Sequence, residues 1–417
     1  MSVSPARAEL QQARELLQAN RIDAGIEKLT VLANQKHPEA MFELASVLLM
    51  LANDADKIAA GMRLLRDAEQ LGDVAAKYRL ATASLVESAE SLDWPHLAAR
   101  WQTCCQHGHP NALCDAAVYF GHYGNAEQQS RSTAMLEVAA LRGSLVAMAL
   151  LGERLAEGRF CTADPARANS IRQLAADMGM PVPPPDPAHG FAPPEPAASP
   201  DAGDDWDFGD IRRTLESTEA DCLDAGTGLY VHAGFLSDEE CLYIQCLGGP
   251  DVAPSISVDI HGQTHQNQTR TSYDFTFTPE CEQLYLNLLQ RRLADAAGLP
   301  LNFAEQLIIL RYLPGQEYKL HRDFLPETHF IPVAAGGSGQ RLRTVVSYLN
   351  TPAAGGDTAF PLLLKDIPAI QGRIVRFDNI TADGQIMRTS LHAGTPVKQG
   401  VKWICTLWFH EGVHRPL

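Results

Sequence analysis

His321, Asp323 and His392 are the residues of this chain whose types and spacing are best suited to chemistry, and Lys402 stands close behind them. The first two lie in YLPGQEYKLHRD, the others in LHAGTPVKQGVKW. Residues i and i+2 of a strand face the same side, so His321 and Asp323 can reach one ion while Arg322 points away. A histidine from a second strand, His392, completes a set of two histidines and one carboxylate. That donor set suits Fe(II) and leaves coordination positions open for other ligands. Lys402 sits in the apolar strand GVKWICTLW, where an unpartnered ammonium is costly. The far carboxylate of a 2-oxoacid bound to the iron would partner it. The hydroxyls of Tyr312 and Thr344, on strands expected to line the same pocket, could donate to that carboxylate. The combination predicts oxygenase chemistry driven by a 2-oxoacid, with His321, Asp323 and His392 as the catalytic and metal-binding centre.

The elements that must position these residues are β-strands. LIILRYL, RTVVSYLN, GRIVRFDN, SLHAG and KWICTLWF are short strand-like runs with Gly and Pro between them, which predicts a sandwich or barrel. Residues 206–417 suffice for a double-stranded β-helix, or jelly roll, with supporting helices. Ser237-Asp238-Glu239-Glu240 reads as a capping box opening one helix, and Pro279 to Ala297 as an amphipathic second. Phe324–Ser338 reads as a loop forming a lid or substrate wall, with His329 a loop residue rather than a fourth ligand.

Residues 1–180 differ in character. They are rich in Ala and Leu at helical spacing. Lys36, Gly72, Gly108 and Gly143 are each followed four residues later by an alanine, at steps of 36, 36 and 35 residues, and Gly179 falls 36 further on. A fixed period near 36 built from helices predicts an α-solenoid, because one helix pair cannot bury its apolar face without a neighbour. Such a domain serves protein or peptide recognition. Residues 181–205, PVPPPDPAHGFAPPEPAASPDAGDD, are too poor in apolar residues for a core and predict an extended linker. The fold class is therefore multidomain α + β.

Composition narrows the partners. The chain has 417 residues, is 45% hydrophobic and carries a net charge of −16, with no long basic run. Nucleic acid is not an expected partner, since a phosphate backbone needs clustered Lys and Arg. No apolar leader or membrane-length segment is present in the sequence. The nine cysteines match no disulfide or zinc spacing and read as reduced thiols of a cytoplasmic protein. The HRD trio also occurs in kinase catalytic loops, but no Asn stands five residues after Asp323 and no Gly-rich loop or D-F-G accompanies it.

Six ordered blocks carry a resemblance: FLSDEEC, YLPGQEYKLHRD, GQRLRTVVSYLN, GGDTAFP, GRIVRFDN and LHAGTPVKQGVKWICTLW. Over about residues 230–412 the chain resembles the prolyl 4-hydroxylase family of iron/2-oxoglutarate dioxygenases, and residues 5–180 resemble Sel1-like, tetratricopeptide-related repeats. The first resemblance implies Fe(II), 2-oxoglutarate, O₂ and ascorbate as cofactors. It places the metal on His321, Asp323 and His392, the 2-oxoglutarate clamp on Lys402 with Tyr312 and Thr344, and Trp408 at the pocket wall. Asp323 speaks against related halogenases, which replace this carboxylate with a small residue. The expected activity is hydroxylation of a protein or peptide, at proline, with the repeats recruiting it. The alternatives are oxygenation of a small molecule, such as a free or carrier-bound amino acid, and a non-catalytic scaffold that senses iron or oxygen.

Overall fold

The computed structural model describes residues 5–51, 55–86, 92–192, 206–258, 264–266, 269–381 and 383–415. Its N-terminal part is helical: α1 (Pro5–Gln18), α2 (Ile22–Asn34), α3 (Pro38–Met50), α4 (Ala55–Gln70), α5 (Val74–Ser84), α6 (Trp94–Gln106), α7 (Pro110–Tyr123), α8 (Ala126–Leu141), α9 (Leu145–Glu157) and α10 (Pro165–Asp177). Two more helices follow, α11 (Asp238–Gly248) and α12 (Leu284–Ala297).

The repeat read from the sequence has a local physical cause. Gly72, Gly108, Gly143 and Gly179 have φ of +90°, +69°, +93° and +83°, the left-handed turn that ends a helix. An added Cβ at Gly72, Gly143 or Gly179 would meet nothing, so conformation rather than space selects glycine there. The alanines four residues on, Ala40, Ala76, Ala112 and Ala147, are fully buried where helices approach. Asp73, His109 and Ser144 cap the helices that follow by accepting from the N–H groups of Ala76, Ala112 and Ala147. Lys36 makes the same turn at φ +61° without being glycine. Lys36→Gly is expected to stabilise the chain by up to about 1 kcal/mol, read as a higher urea midpoint at unchanged slope.

The strands are β1 (Ala220–Asp224), β2 (Leu229–His232), β3 (Ala253–Pro254), β4 (Ile256–Val258), β5 (Thr264–Gln266), β6 (Tyr273–Thr276), β7 (Ile308–Tyr312) and β8 (Tyr318–His321). They continue with β9 (Arg341–Tyr348), β10 (Ala354–Gly355), β11 (Thr358–Phe360), β12 (Lys365–Ile367), β13 (Ile374–Asp378), β14 (His392–Gly394), β15 (Val397–Gln399) and β16 (Lys402–His410). Eight of them form a sheet in the order β1-β2-β13-β9-β16-β7-β6-β3, and a four-stranded sheet runs β12-β11-β14-β8. All pairings are antiparallel, and the two sheets make the jelly roll. Among the described residues no helix is long and apolar enough to cross a membrane.

Ser237 and Glu240 form the reciprocal capping box that opens α11. The second helix begins at Leu284 rather than Pro279. Residues 279–281 form a turn, and Gln283 before the helix is extended at φ −105° and ψ 160°. Glu282 is occupied instead with Gln290 and Arg415. Nor is α12 amphipathic in its surroundings: of its 14 residues all but Asp295 and Ala296 are buried.

The reason is that the solenoid packs on α11 and α12 through α5, α7 and α9. One apolar core runs across both parts, from Trp101 and Tyr119 to Leu288 and Phe409. Its polar centre is Asp115 on α7, which accepts from the hydroxyls of Tyr78 (2.6 Å) and Tyr243 (2.6 Å) and from the Tyr285 N–H (3.2 Å). Burial lifts the Asp115 carboxyl to about 7, against those hydrogen bonds. Arg154 on α9 pairs with Glu239 on α11 at 2.6 Å and donates to Ser132 and to the Ala117 carbonyl. Arg291 donates to the Leu85 carbonyl.

The proline-rich segment is not a free spacer where it is described. Asn169 on α10 donates to the carbonyls of Asp186 and His189 and accepts from Asp186 N–H. Residues 193–205 lie outside the described residues. Beyond them Trp206 and Phe208 return to the solenoid, with the Phe208 ring 4.5 Å from Trp101 and its carbonyl on the Tyr119 hydroxyl.

Candidate functional site

The small sheet brings the two histidines together. Strand β14 pairs with β8 so that His392 lies opposite His321. His392 opens β14 and Asp323 lies just past the end of β8, and all three side chains converge. Their ligand atoms lie within 4.8 Å of one another. His321 Nε2 is 3.4 Å from Asp323 Oδ1, and His392 Nε2 is 3.8 Å from Oδ2. Each ring is oriented from behind by the backbone carbonyl two residues earlier: Nδ1 of His321 meets Lys319 O at 2.7 Å, and Nδ1 of His392 meets Ser390 O at 2.9 Å. The N–H thus sits on Nδ1 and the lone pair on Nε2, facing the carboxylate. Tyr318 stacks on His321 with ring centroids 3.4 Å apart.

Electrostatics agree with a metal-ligand set. Burial lowers His392 to about 4, only partly opposed by Asp323, so its imidazole is neutral near pH 7. Burial works against charge on Asp323, but His392, His321 and Arg341 together hold its carboxyl far below the usual range. Neutral imidazoles and an ionised carboxylate are the forms that bind a cation.

The large sheet supplies the rest. Strand β16 pairs with β7 so that Lys402 lies opposite Tyr312. Lys402, Ile404, Thr406 and Trp408 alternate along β16 and line one pocket with Tyr312 and the three ligands. Lys402 is 2% exposed, and its Nζ lies 5.4 Å from the Tyr312 ring centre and 5.6 Å from that of Tyr348. Among the described residues no carboxylate forms an ion pair with it. Burial lowers Lys402 to about 8, with Asp357 opposing. The charged form is the one that holds a carboxylate. Affinity for a dicarboxylate is therefore expected to be flat below that pH and to weaken by up to about tenfold per unit above it, read by calorimetric titration across pH 7–10. Trp408 lines the pocket under the Arg341 guanidinium at 4.1 Å, and its buried indole N–H has no partner among the described residues.

Thr344 departs from expectation. It lies on the predicted strand, but its hydroxyl donates to Asp323 Oδ2 at 2.8 Å instead of opening onto the pocket around Lys402. It sits too far along β9, opposite Trp408, to reach the Lys402 end. A further hydroxyl residue of the pocket lining is Thr358, whose Oγ1 accepts from the Tyr348 hydroxyl at 2.6 Å. Sequence reasoning missed it, although it ends the GGDT block. Thr406 was missed too, although strand alternation from Lys402 points to it. His329 stands apart from the ligands and lines a second cavity of about 540 Å³ under the 324–339 loop, with Glu305, Phe330 and His410.

Comparison with known proteins identifies the family of the part that carries this site. Residues 307–410 match the 2OG-Fe(II) oxygenase superfamily. Prolyl 4-hydroxylase 5 of Arabidopsis thaliana is 32% identical over 201 residues, which cover 43% of this chain and 67% of that protein. Probable prolyl 4-hydroxylase 3 of the same plant is 29% identical over 206 residues, 45% of this chain and 70% of that one. The chain belongs to the prolyl 4-hydroxylase-like 2OG-Fe(II) oxygenases. Among solved structures, a viral collagen prolyl hydroxylase from Paramecium Bursaria Chlorella virus-1 covers 44% of this chain and 95% of its own, at 27% identity and a TM-score of 0.35. A Sel1 repeat protein from Oxalobacter formigenes covers 42% of this chain and 76% of its own, at 18% identity and a TM-score of 0.34.

As a 2-oxoglutarate-dependent dioxygenase, this oxygenase uses Fe(II), 2-oxoglutarate and O₂, with ascorbate typical of the family. The residues fit those groups. Two imidazole Nε2 atoms and one carboxylate suit Fe(II), and a buried ammonium with no carboxylate partner among the described residues suits the far end of 2-oxoglutarate.

Proposed function

We propose that this oxygenase hydroxylates a protein or peptide substrate at proline. The observation that carries the reading is the convergence of His321, Asp323 and His392 at one end of a pocket whose other end is Lys402. Its relatives at 29–32% identity are prolyl 4-hydroxylases and probable ones. In this reading His321 Nε2, His392 Nε2 and the Asp323 carboxylate hold the iron, and Lys402 Nζ holds the far carboxylate of 2-oxoglutarate beside the rings of Tyr312 and Tyr348. The bound iron and 2-oxoglutarate supply the oxidising power: decarboxylation to succinate and CO₂ delivers one atom of O₂ to a C–H bond. The chain's own part is orientation and exclusion of water. Val346, Ile404 and Trp408 wall the pocket, and the 324–338 loop lines a separate cavity.

The repeats, in the same reading, capture the protein that carries the substrate. The α5–α9 face is taken by α11 and α12, so the capture surface belongs to the α1–α4 end, whose apolar core is separate from the shared one and includes Ala76 and Leu80 of α5.

The test is succinate formation by the full chain with Fe(II), 2-oxoglutarate and ascorbate, with and without proline-containing peptides. Peptide-dependent succinate, with one oxygen added at a proline, is the expected outcome. Succinate that no peptide stimulates would overturn the peptide reading and leave a small-molecule substrate.

A further inference from the structure

Asp323 has two carboxylate oxygens, and the fold has committed one of them. Thr344 Oγ1 donates to Oδ2 at 2.8 Å, and Asn379 Nδ2 donates to Thr344 Oγ1 at 2.9 Å. Thr344 and Asn379 are both 0% exposed, and neither lines the pocket. Thr344 stands on β9 opposite Phe377 of β13, and Asn379 follows two residues later, just past that strand. The Asn379 backbone is pinned on both sides: its N–H donates to Leu342 O at 2.8 Å and its carbonyl accepts from Met387 N–H at 2.9 Å.

Proton direction matters here. A threonine hydroxyl has a single proton to give. Because Asn379 offers Thr344 a donor, that proton is free to go to the carboxylate. The other amide orientation would put Asn379 Oδ1 against the hydroxyl and draw the proton away from Asp323. Asn379 Oδ1 is buried with no hydrogen-bond partner among the described residues.

We propose that Asn379 and Thr344 are positioning residues: a directed two-step relay holds Asp323 Oδ2 by a hydrogen bond, leaves Oδ1 free of that bond, and so keeps the carboxylate from turning to chelate an ion with both oxygens. The consequence is a free coordination position. A carboxylate released from Thr344 can turn to chelate the ion with both oxygens, and the second oxygen would occupy a place that 2-oxoglutarate or O₂ needs. The proposal rests on the iron-site reading above and adds to it the residues that set the denticity.

The test uses the full chain, with Co(II) as the probe metal and its visible absorption as the readout of the ligand set. Thr344→Val, which keeps the shape and removes the donor, is expected to weaken Co(II) binding by about 10–100-fold, the usual effect of losing an outer-shell partner. Its loaded site should also show a changed Co(II) spectrum. Thr344→Ser, which restores the donor, should return both to wild-type values. Asn379→Leu should give a smaller loss, one that disappears when Thr344 is already valine, because Asn379 acts only through that hydroxyl. Wild-type affinity and spectrum in Thr344→Val would overturn the proposal, as would an Asn379→Leu effect that adds in full to Thr344→Val. A lowered melting temperature with an unchanged spectrum in Thr344→Val would also overturn it, since that marks a merely structural role. If Thr344→Val does not fold, Asn379→Leu carries the test, and wild-type affinity and spectrum there overturn the relay. Absence of Co(II) binding by the wild-type chain would instead overturn the iron-site reading itself, and the relay with it.

Discussion

Asp323→Ala is expected to reduce iron binding and succinate formation by more than the 10–100-fold that loss of a supporting residue costs, to the level of the metal-free chain. Two effects add. The ion loses its only anionic ligand among the three converging residues. Thr344 also loses its acceptor, so a buried hydroxyl held by Asn379 is left facing a void. The folded state should survive, because the removed carboxylate sits between two imidazoles whose mutual repulsion it offsets only when they are charged, and burial keeps His392 neutral near pH 7. Equilibrium dialysis against Fe(II) under anaerobic conditions, with circular dichroism as the control for folding, measures both. Retention of wild-type iron affinity would remove Asp323 from the metal site.

The second large effect lies far from the pocket. Arg154→Met is expected to destabilise the chain by about 3–5 kcal/mol, because it leaves Glu239 as an uncompensated buried charge. Arg154 is 1% exposed and its guanidinium is shared among Glu239, Ser132, Thr133 and the Ala117 carbonyl. The pair joins α9 of the solenoid to α11 of the oxygenase part, and the core on either side is continuous. Thermal unfolding of the wild type should therefore be one transition for α5–α12 and the jelly roll, and in the variant that transition should move down as a unit. A solenoid that melts separately, leaving the oxygenase part's transition in place, would show that the shared core does not couple them. It also follows that removing residues 1–180 strips the cover from α11 and α12. Lost turnover after that truncation would report a damaged catalytic part, so recruitment has to be probed with substitutions on α1–α4.

Much of the site could be read from single residues because its chemistry is written in short motifs. His321 and Asp323 are two apart, and Lys402 marks itself by being a charge in an apolar strand. His392 could be assigned only as a partner of the others, since one histidine carries little signal alone. Thr344 shows where such reading stops. Alternation along β9 puts Thr344, Val346 and Tyr348 on one face, but only the register against β16 shows that Thr344 lies opposite Trp408. That register decides that its hydroxyl meets Asp323 and that Thr358, from another strand, lines the pocket near Lys402. Register is a long-range property, fixed by pairing between segments far apart in the chain.

The sequence by itself determined the repeat, the jelly-roll strands and the kind of ion, because each follows from local patterns: a left-handed turn every 36 residues or so, period-two alternation, and donor types at fixed spacing. Only the tertiary structure decided how the two parts relate. Asn287, Gln290, Arg291 and Arg292 make α12 look half solvent-facing, yet they are buried because α5 and α7 cover that side. Asp115, Tyr78 and Tyr243 are unremarkable apart, and come together only when α5, α7 and α11 pack. A polar residue's pattern is the same whether it faces water or a buried partner from a distant segment. The partner, which sequence periodicity does not encode, makes the burial affordable.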